Sequence, residues 1–175
     1  MSRLIVMLFS ALTLGFCVMG SQFIMPLAQA GYDDGMRAYS QNQYDVALKQ
    51  FRPLLAEGHS GAEFMVGTMY FHGKGIQSDN GIAAGWFYKA ARQGHFGAQL
   101  ALGSLYIHGR GVQQDIVKAY MWLTLASRSD VAVLHKQAMR LRTEIIVLMS
   151  STEIERALKI SESWTSQESG LVWNN

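Results

Sequence analysis

The stretch AEFMVGTMYFHGKGIQSDNGIAAGWFYKAARQGH, Ala62–His95, is nearly repeated by AQLALGSLYIHGRGVQQDIVKAYMWLTLA, Ala98–Ala126. A shift of 36 residues lays Gly67 on Gly103, Tyr70 on Tyr106, His72 on His108 and Gly73 on Gly109. The same shift lays Gly75 on Gly111, Asp79 on Asp115, Ala83 on Ala119 and Trp86 on Trp122. A fixed period between about 20 and 50 residues marks a stacked-repeat architecture, in which each unit buries its apolar face on the next. These ten landmarks (Gly67, Tyr70, Gly73, Gly75 and Trp86; Gly103, Tyr106, Gly109, Gly111 and Trp122) are therefore read as structural.

Each repeat reads as two helices. Ala62, Val66, Gly67 and Tyr70 share one helical face, as do Ala98, Leu102, Gly103 and Tyr106. A glycine inside a helix costs roughly 1 kcal/mol against alanine. Its recurrence at 67 and 103 predicts close approach of a neighbouring helix, with Trp86 or Trp122 lying over the gap. Gly73-Lys74-Gly75 and Gly109-Arg110-Gly111 predict a loop with unusual backbone dihedrals. Asp79 and Asp115 are placed to cap second helices over about Gly81–Gln93 and Ile116–Ser127.

Working toward the N-terminus, Tyr39, Tyr44, Ala47, Leu48, Phe51 and Leu55 keep helical spacing. They predict helices over about Asp33–Ser40 and Tyr44–Glu57, ended by Gly58 and bent or loosened at Pro53. Residues 31–61 thus form a partial repeat with a shorter loop, ahead of full repeats at 62–97 and 98–127. Before it, residues 1–30 carry one charge (Arg3), a long apolar run and the pattern Ala28-Gln29-Ala30. This predicts a secretory signal peptide cleaved after Ala30, and so a periplasmic or secreted protein. The competing reading of the run is an uncleaved membrane anchor.

Toward the C-terminus, Ser129 or Asp130 is expected to cap a helix to about Met149. Ser150 and Glu153 offer a capping box for a last helix to about Trp164. Residues 128–164 would cover the apolar face that the end repeat exposes. The tail 165–175 lacks periodicity and is expected to be mobile. Trp173 in it is a weak cue for a second contact.

The formal net charge is +2, and Cys17, the only cysteine, falls within the expected signal. The charge gives no electrostatic footprint for nucleic acid or an anionic membrane, and no disulfide framework is available.

The repeats resemble the Sel1-like family of tetratricopeptide-like helical repeats. The resemblance rests on AEFMVGTMY, Gly73-Lys74-Gly75-Ile76, Asp79, Ala83, Trp86, Lys89-Ala90-Ala91 and Gly94. It rests equally on AQLALGSLY, Gly109-Arg110-Gly111-Val112, Asp115, Lys118-Ala119, Trp122 and Ala126. The matching pattern departs at Gly85 and Ile82. The resemblance implies an all-α fold, a right-handed α/α solenoid of helix pairs with a C-terminal capping helix pair. It also implies an adaptor or scaffold that binds an unidentified protein or peptide.

No chemical motif competes with that reading. The five histidines include two repeat-equivalent pairs, His59/His95 and His72/His108. Periodic placement fits one local structural job done twice better than a metal centre, which gathers unlike positions. The chain has no H-E-x-x-H, G-x-S-x-G or phosphate-loop spacing. No catalytic residue, metal or cofactor is assigned, and no signal for a homo-oligomer is seen. In such stacks the first helix of each repeat lines the concave surface. The wall residues are then Tyr32, Met36 and Tyr39; Phe64, Thr68, Phe71 and His72; and Leu100, Ser104, Ile107 and His108. They are the expected partner-binding set. A cell-envelope hydrolase or glycan-binding protein using the same face is the alternative. The acids near that face, Asp33, Asp34 and Glu63, are expected on its outer edge.

Overall fold

The structure, a computed structural model, describes residues 28–164. The apolar run up to 27, with Cys17, and the tail 165–175, with Trp173, lie outside the described residues. The chain divides into two units, 1–54 and 55–175. Eight helices and no strand occur among the described residues.

The first unit holds α1, which covers 28–40, and all but the last two residues of α2, Tyr44–Ala56. Asn42 makes the turn between them at φ 59°, a conformation asparagine tolerates better than most residues. The Phe51 ring lies against Gly35 and 6.0 Å from Tyr32. Helix α1 starts earlier than the expected Asp33 and includes Ala28-Gln29-Ala30. These residues hold no helix breaker, and Gln29 Nε2 donates to Asp33 Oδ1 at 2.9 Å one turn on. Pro53 sits inside α2 without interrupting it.

The second unit is a stack of helix pairs. Helices α3 (Ser60–His72) and α4 (Asn80–Arg92) form one pair, α5 (Phe96–His108) and α6 (Ile116–Ala126) the next. Helix α4 packs on both α3 and α5. The N-caps repeat as the helices do. His59 Nδ1 and His95 Nδ1 accept from Ala62 N and Ala98 N, each at 3.2 Å. Asp79 Oδ1 and Asp115 Oδ1 accept from Ile82 N and Lys118 N, each at 2.9 Å. The first helices end on Gly73 and Gly109 at φ 65° and 64°, and Gly75 and Gly111 are also left-handed. An added side chain is strained there, so the glycine loop has a steric cause.

The helical glycines mark close approaches, but the tryptophans are not what covers them. A Cβ on Gly67 would meet the Phe87 ring at 2.8 Å, and one on Gly103 would meet the Leu123 side chain at 2.6 Å. The covering residue is the one after each tryptophan. One position along a helix turns the side chain by about 100°, enough to take Trp86 and Trp122 off that contact. Trp122 is instead buried between Tyr88 and Trp164, and half-buried Trp86 carries Lys89 Nζ 4.1 Å above its ring. Buried Ala83, Ala90, Ala91, Ala98 and Ala119 let the helices approach, and Phe87, Leu102, Leu105 and Leu123 fill between them.

Helices α7 (Ala132–Ile146) and α8 (Ser151–Ser163) both pack on α6 and close the end of the stack. Ser150 and Glu153 form the capping box of α8. The α7 cap differs from expectation. Val131 holds that position with no side-chain bond, because Ser129 Oγ is spent accepting from Val131 N at 3.2 Å. The helix also ends at Ile146, three residues early, where Leu148 N and Met149 N turn back onto Ile145 and Ile146 carbonyls. Helix α7 also packs on α5, and this contact shapes the site.

Candidate functional site

Helices α3, α5 and α7 enclose a groove of about 870 Å³ within the second unit. Helix α3 contributes Phe64, Thr68, Phe71 and His72, and α5 contributes Leu100, Ser104, Ile107 and His108. These are all eight wall residues expected from the two full repeats, gathered on one surface. Tyr32, Met36 and Tyr39 belong to the first unit. All three are half-buried there, Tyr39 with its ring 5.4 Å from Tyr44. Burial, reinforced by Asp33, raises the Tyr32 hydroxyl above its ordinary pKa.

The third wall departs from expectation. Helix α7 supplies Leu134, Gln137, Arg140, Leu141, Glu144 and Ile145, with Leu148 just beyond its end. The role of end cap alone does not place this helix at the groove. A signal is present in the sequence: Leu134, Leu141 and Leu148 are seven apart, as are Phe64 and Phe71, and Leu100 and Ile107. Each wall thus repeats an apolar residue every two turns on one edge.

The groove is mainly apolar, and its polar groups are largely occupied. Thr68 Oγ1 donates to the Phe64 carbonyl at 2.9 Å. His108 Nδ1 lies 2.8 Å from the Ser104 carbonyl. A carbonyl only accepts, so Nδ1 carries the proton and Nε2 is the acceptor in the neutral ring. His72 meets the Phe71 ring edge-on at 4.9 Å. Arg140 and Glu144 pair at 3.6 Å along α7, both well exposed. Phe64, Phe71, Leu100, Ile107, Leu134 and Leu141 are partly buried, most of them against the core, and Leu148 is 69% exposed.

At one edge of the groove the Phe64 ring stacks on His95, centroids 4.5 Å apart. A Cβ on Gly97 would fall 3.2 Å from the His95 ring and 3.3 Å from Phe64. The missing side chain leaves room for that stack. Burial, with a smaller push from the charge of His59, holds His95 below its ordinary pKa, against the raising effect of its backbone hydrogen bond.

Glu63 is not on an outer edge. It is 4% exposed and accepts from Gln93 Nε2 at 2.8 Å. It lies one position before Phe64, on the face of α3 turned toward α4. Burial raises its pKa, and Lys89, Gln93 and His59 oppose that rise. Asp33 and Asp34 are exposed in the first unit, Asp34 pairing with Arg37 at 3.0 Å. The carboxylate that does reach the groove is Glu144. Among the described residues no three of His, Cys, Asp and Glu come together as metal ligands.

Comparison with known proteins places this geometry. The Sel1 repeat model matches residues 60–95 and 97–131. Among solved structures, one similar chain is a protective antigen present in uropathogenic Escherichia coli strains, displaying an SLR fold. It is 29% identical with a TM-score of 0.71, over 78% of this chain and 29% of that one. Another is a Sel1 repeat protein from Oxalobacter formigenes, 28% identical with a TM-score of 0.59, over 65% of this chain and 46% of that one. The chain thus spans less than half the length of either. No curated protein matches it.

Proposed function

Because this chain is a Sel1-repeat protein, we propose that it is an exported adaptor that holds a protein or peptide partner in the groove of α3, α5 and α7. The role is one of binding rather than catalysis. The observation that carries the reading is the groove itself. Partly buried apolar side chains from α3, α5 and α7, with exposed Leu148 beside them, converge there at two-turn spacing, and apolar surface left open to solvent marks interaction sites. The volume of about 870 Å³ is near that of two turns of a helix about 10 Å across. An amphipathic partner helix, anchored by apolar residues three, four or seven apart, fits such a groove. Export rests on the apolar run and the Ala28-Gln29-Ala30 pattern.

The test is proximity labelling in the exported compartment. Wild type is compared with a Phe71→Ala/Ile107→Ala double variant and with Leu148→Asp. Leu148 is exposed enough that the charge should spare the fold. A partner set lost in both variants supports the groove. Recovery of the same set from a folded Leu148→Asp protein and from the double variant sinks the proposal.

A further inference from the structure

The two helices of each repeat are fastened differently. The outer helices α4 and α6 are capped by Asp79 and Asp115, and the inner helices α3 and α5 by His59 and His95. Ser, Thr, Asp and Asn are the usual caps, and histidine adds what they lack near neutrality, a titrating acceptor. Both histidines accept through Nδ1. An accepting Nδ1 is unprotonated, so the neutral ring carries its proton on Nε2. A second proton on Nδ1 would make it a donor facing another donor. It would also put a positive charge at the positive end of the helix dipole.

Resting on the groove reading above, we infer that His95 is a pH-sensitive fastener of that groove. In the neutral form it caps α5 and holds the Phe64 ring, and acidification releases both and loosens the partner's site. Three observations meet at this residue. Its Nδ1 holds the first turn of α5. Its ring stacks on Phe64, a groove residue of α3. Gly97 keeps the space that the stack fills. One protonation therefore acts on two groove walls.

The charged group that acts on His95 is His59 at the start of α3, which in turn interacts with Glu63 on the same helix. Glu63 interacts with His59, Lys89 and Gln93, and His59 opposes charge on His95. The sign is fixed by the lowered pKa of His95. The unfolded chain binds a proton near the ordinary value of about 6.5, whereas the folded chain resists it. Stability is therefore complete above that value and is lost as pH falls through it toward the folded pKa.

The test uses the full chain and His95→Asn. Asparagine caps helices but does not titrate. Thermal unfolding is followed from pH 7.5 to 5.5, with hydrogen exchange at the Ala98 amide read alongside. Wild type should lose about 3 °C more than the variant over this interval, as expected for one cap in a chain of this size. The protection factor of the Ala98 amide, its exchange rate relative to the intrinsic rate at the same pH, should fall several-fold in wild type alone. Equal losses in the two proteins, or a protection factor at Ala98 that is indifferent to pH, overturns the inference. Neither readout needs the partner. A groove that binds nothing would leave both signals intact, and a pH-insensitive His95 would leave the labelling result intact.

Discussion

The two repeats carry tryptophan at the same position, and the structure treats the two residues differently. Trp86 is half-buried with Lys89 above it, while Trp122 is 1% exposed, edge-on to Tyr88 and Trp164. The local sequence does not cause this. Both come seven residues after a capping Asp and precede a residue that covers the helical glycine. What differs is position in the stack. Helix α6 is the last repeat helix and receives α7 and α8, so every residue from Ala119 to Ala126 is buried. In a stack of equivalent units a residue's energetic weight is set by the element that packs on its unit.

The sharpest way to break that comparison is to truncate both tryptophans. Trp122→Ala should cost about 3–5 kcal/mol, the range for deleting a large buried aromatic side chain. Trp86→Ala should cost less than about 1 kcal/mol beyond its partial burial, because its cation partner is exposed to water. Urea unfolding of each variant measures the difference. Equal losses would mean that the capping helices do not load α6 as the packing indicates.

The helical glycines test the opposite side of the comparison, where the repeats agree. Gly67→Ala and Gly103→Ala place a methyl about 2.8 and 2.6 Å from the Phe87 and Leu123 side chains. Overpacking costs about 1–3 kcal/mol, offset by roughly 1 kcal/mol of helix propensity. Both variants should be less stable, by up to about 2 kcal/mol once these are set against each other, with Gly103→Ala, the tighter contact, losing more. Pairing Gly103→Ala with Leu123→Ala should give less than the sum of the two losses, since the new methyl enters space the leucine leaves. Strict additivity in denaturation would show that the glycine serves some other contact.

The repeat fold is legible in the sequence because its signals are local. A left-handed glycine, an Asp cap and a helical face each depend on a few neighbouring residues, and the 36-residue shift shows them twice. The eight α3 and α5 residues of the groove are legible for the same reason. Helix α7 is not. Its 134/141/148 spacing shows an apolar edge, but no repeat partner exists to say which helix that edge meets. Side-chain size points to Trp86 and Trp122 as the covers of the helical glycines, one position short of Phe87 and Leu123, because size carries no information about which way a helical residue faces. The cap roles of His59 and His95 lie between these extremes. Their periodicity indicates a shared structural job, while the job itself depends on ring nitrogens that only the structure orients.

The smallest expected effect concerns the one buried site where the repeats differ in charge. Glu63 and Gln99 are equivalent, both nearly inaccessible. Gln99 Nε2 donates to the Ala91 carbonyl at 3.2 Å, whereas Glu63 accepts from Gln93. Burial raises the Glu63 pKa above its unfolded value, so the folded chain holds a proton more tightly than the unfolded one. That contribution favours folding below the unfolded pKa and is lost as pH rises through the folded one. At neutral pH the carboxylate is therefore a burden that a neutral isostere removes. Glu63→Gln should leave stability unchanged or raise it by under about 1 kcal/mol at pH 7, because the amide oxygen still accepts from Gln93. Its advantage should shrink as pH falls toward the ordinary carboxylate range and Glu63 itself becomes neutral. A clear destabilisation at pH 7 would show that Lys89 and His59 stabilise the charge more than burial penalises it. The first repeat would then rely on an ionic group where the second uses a neutral amide.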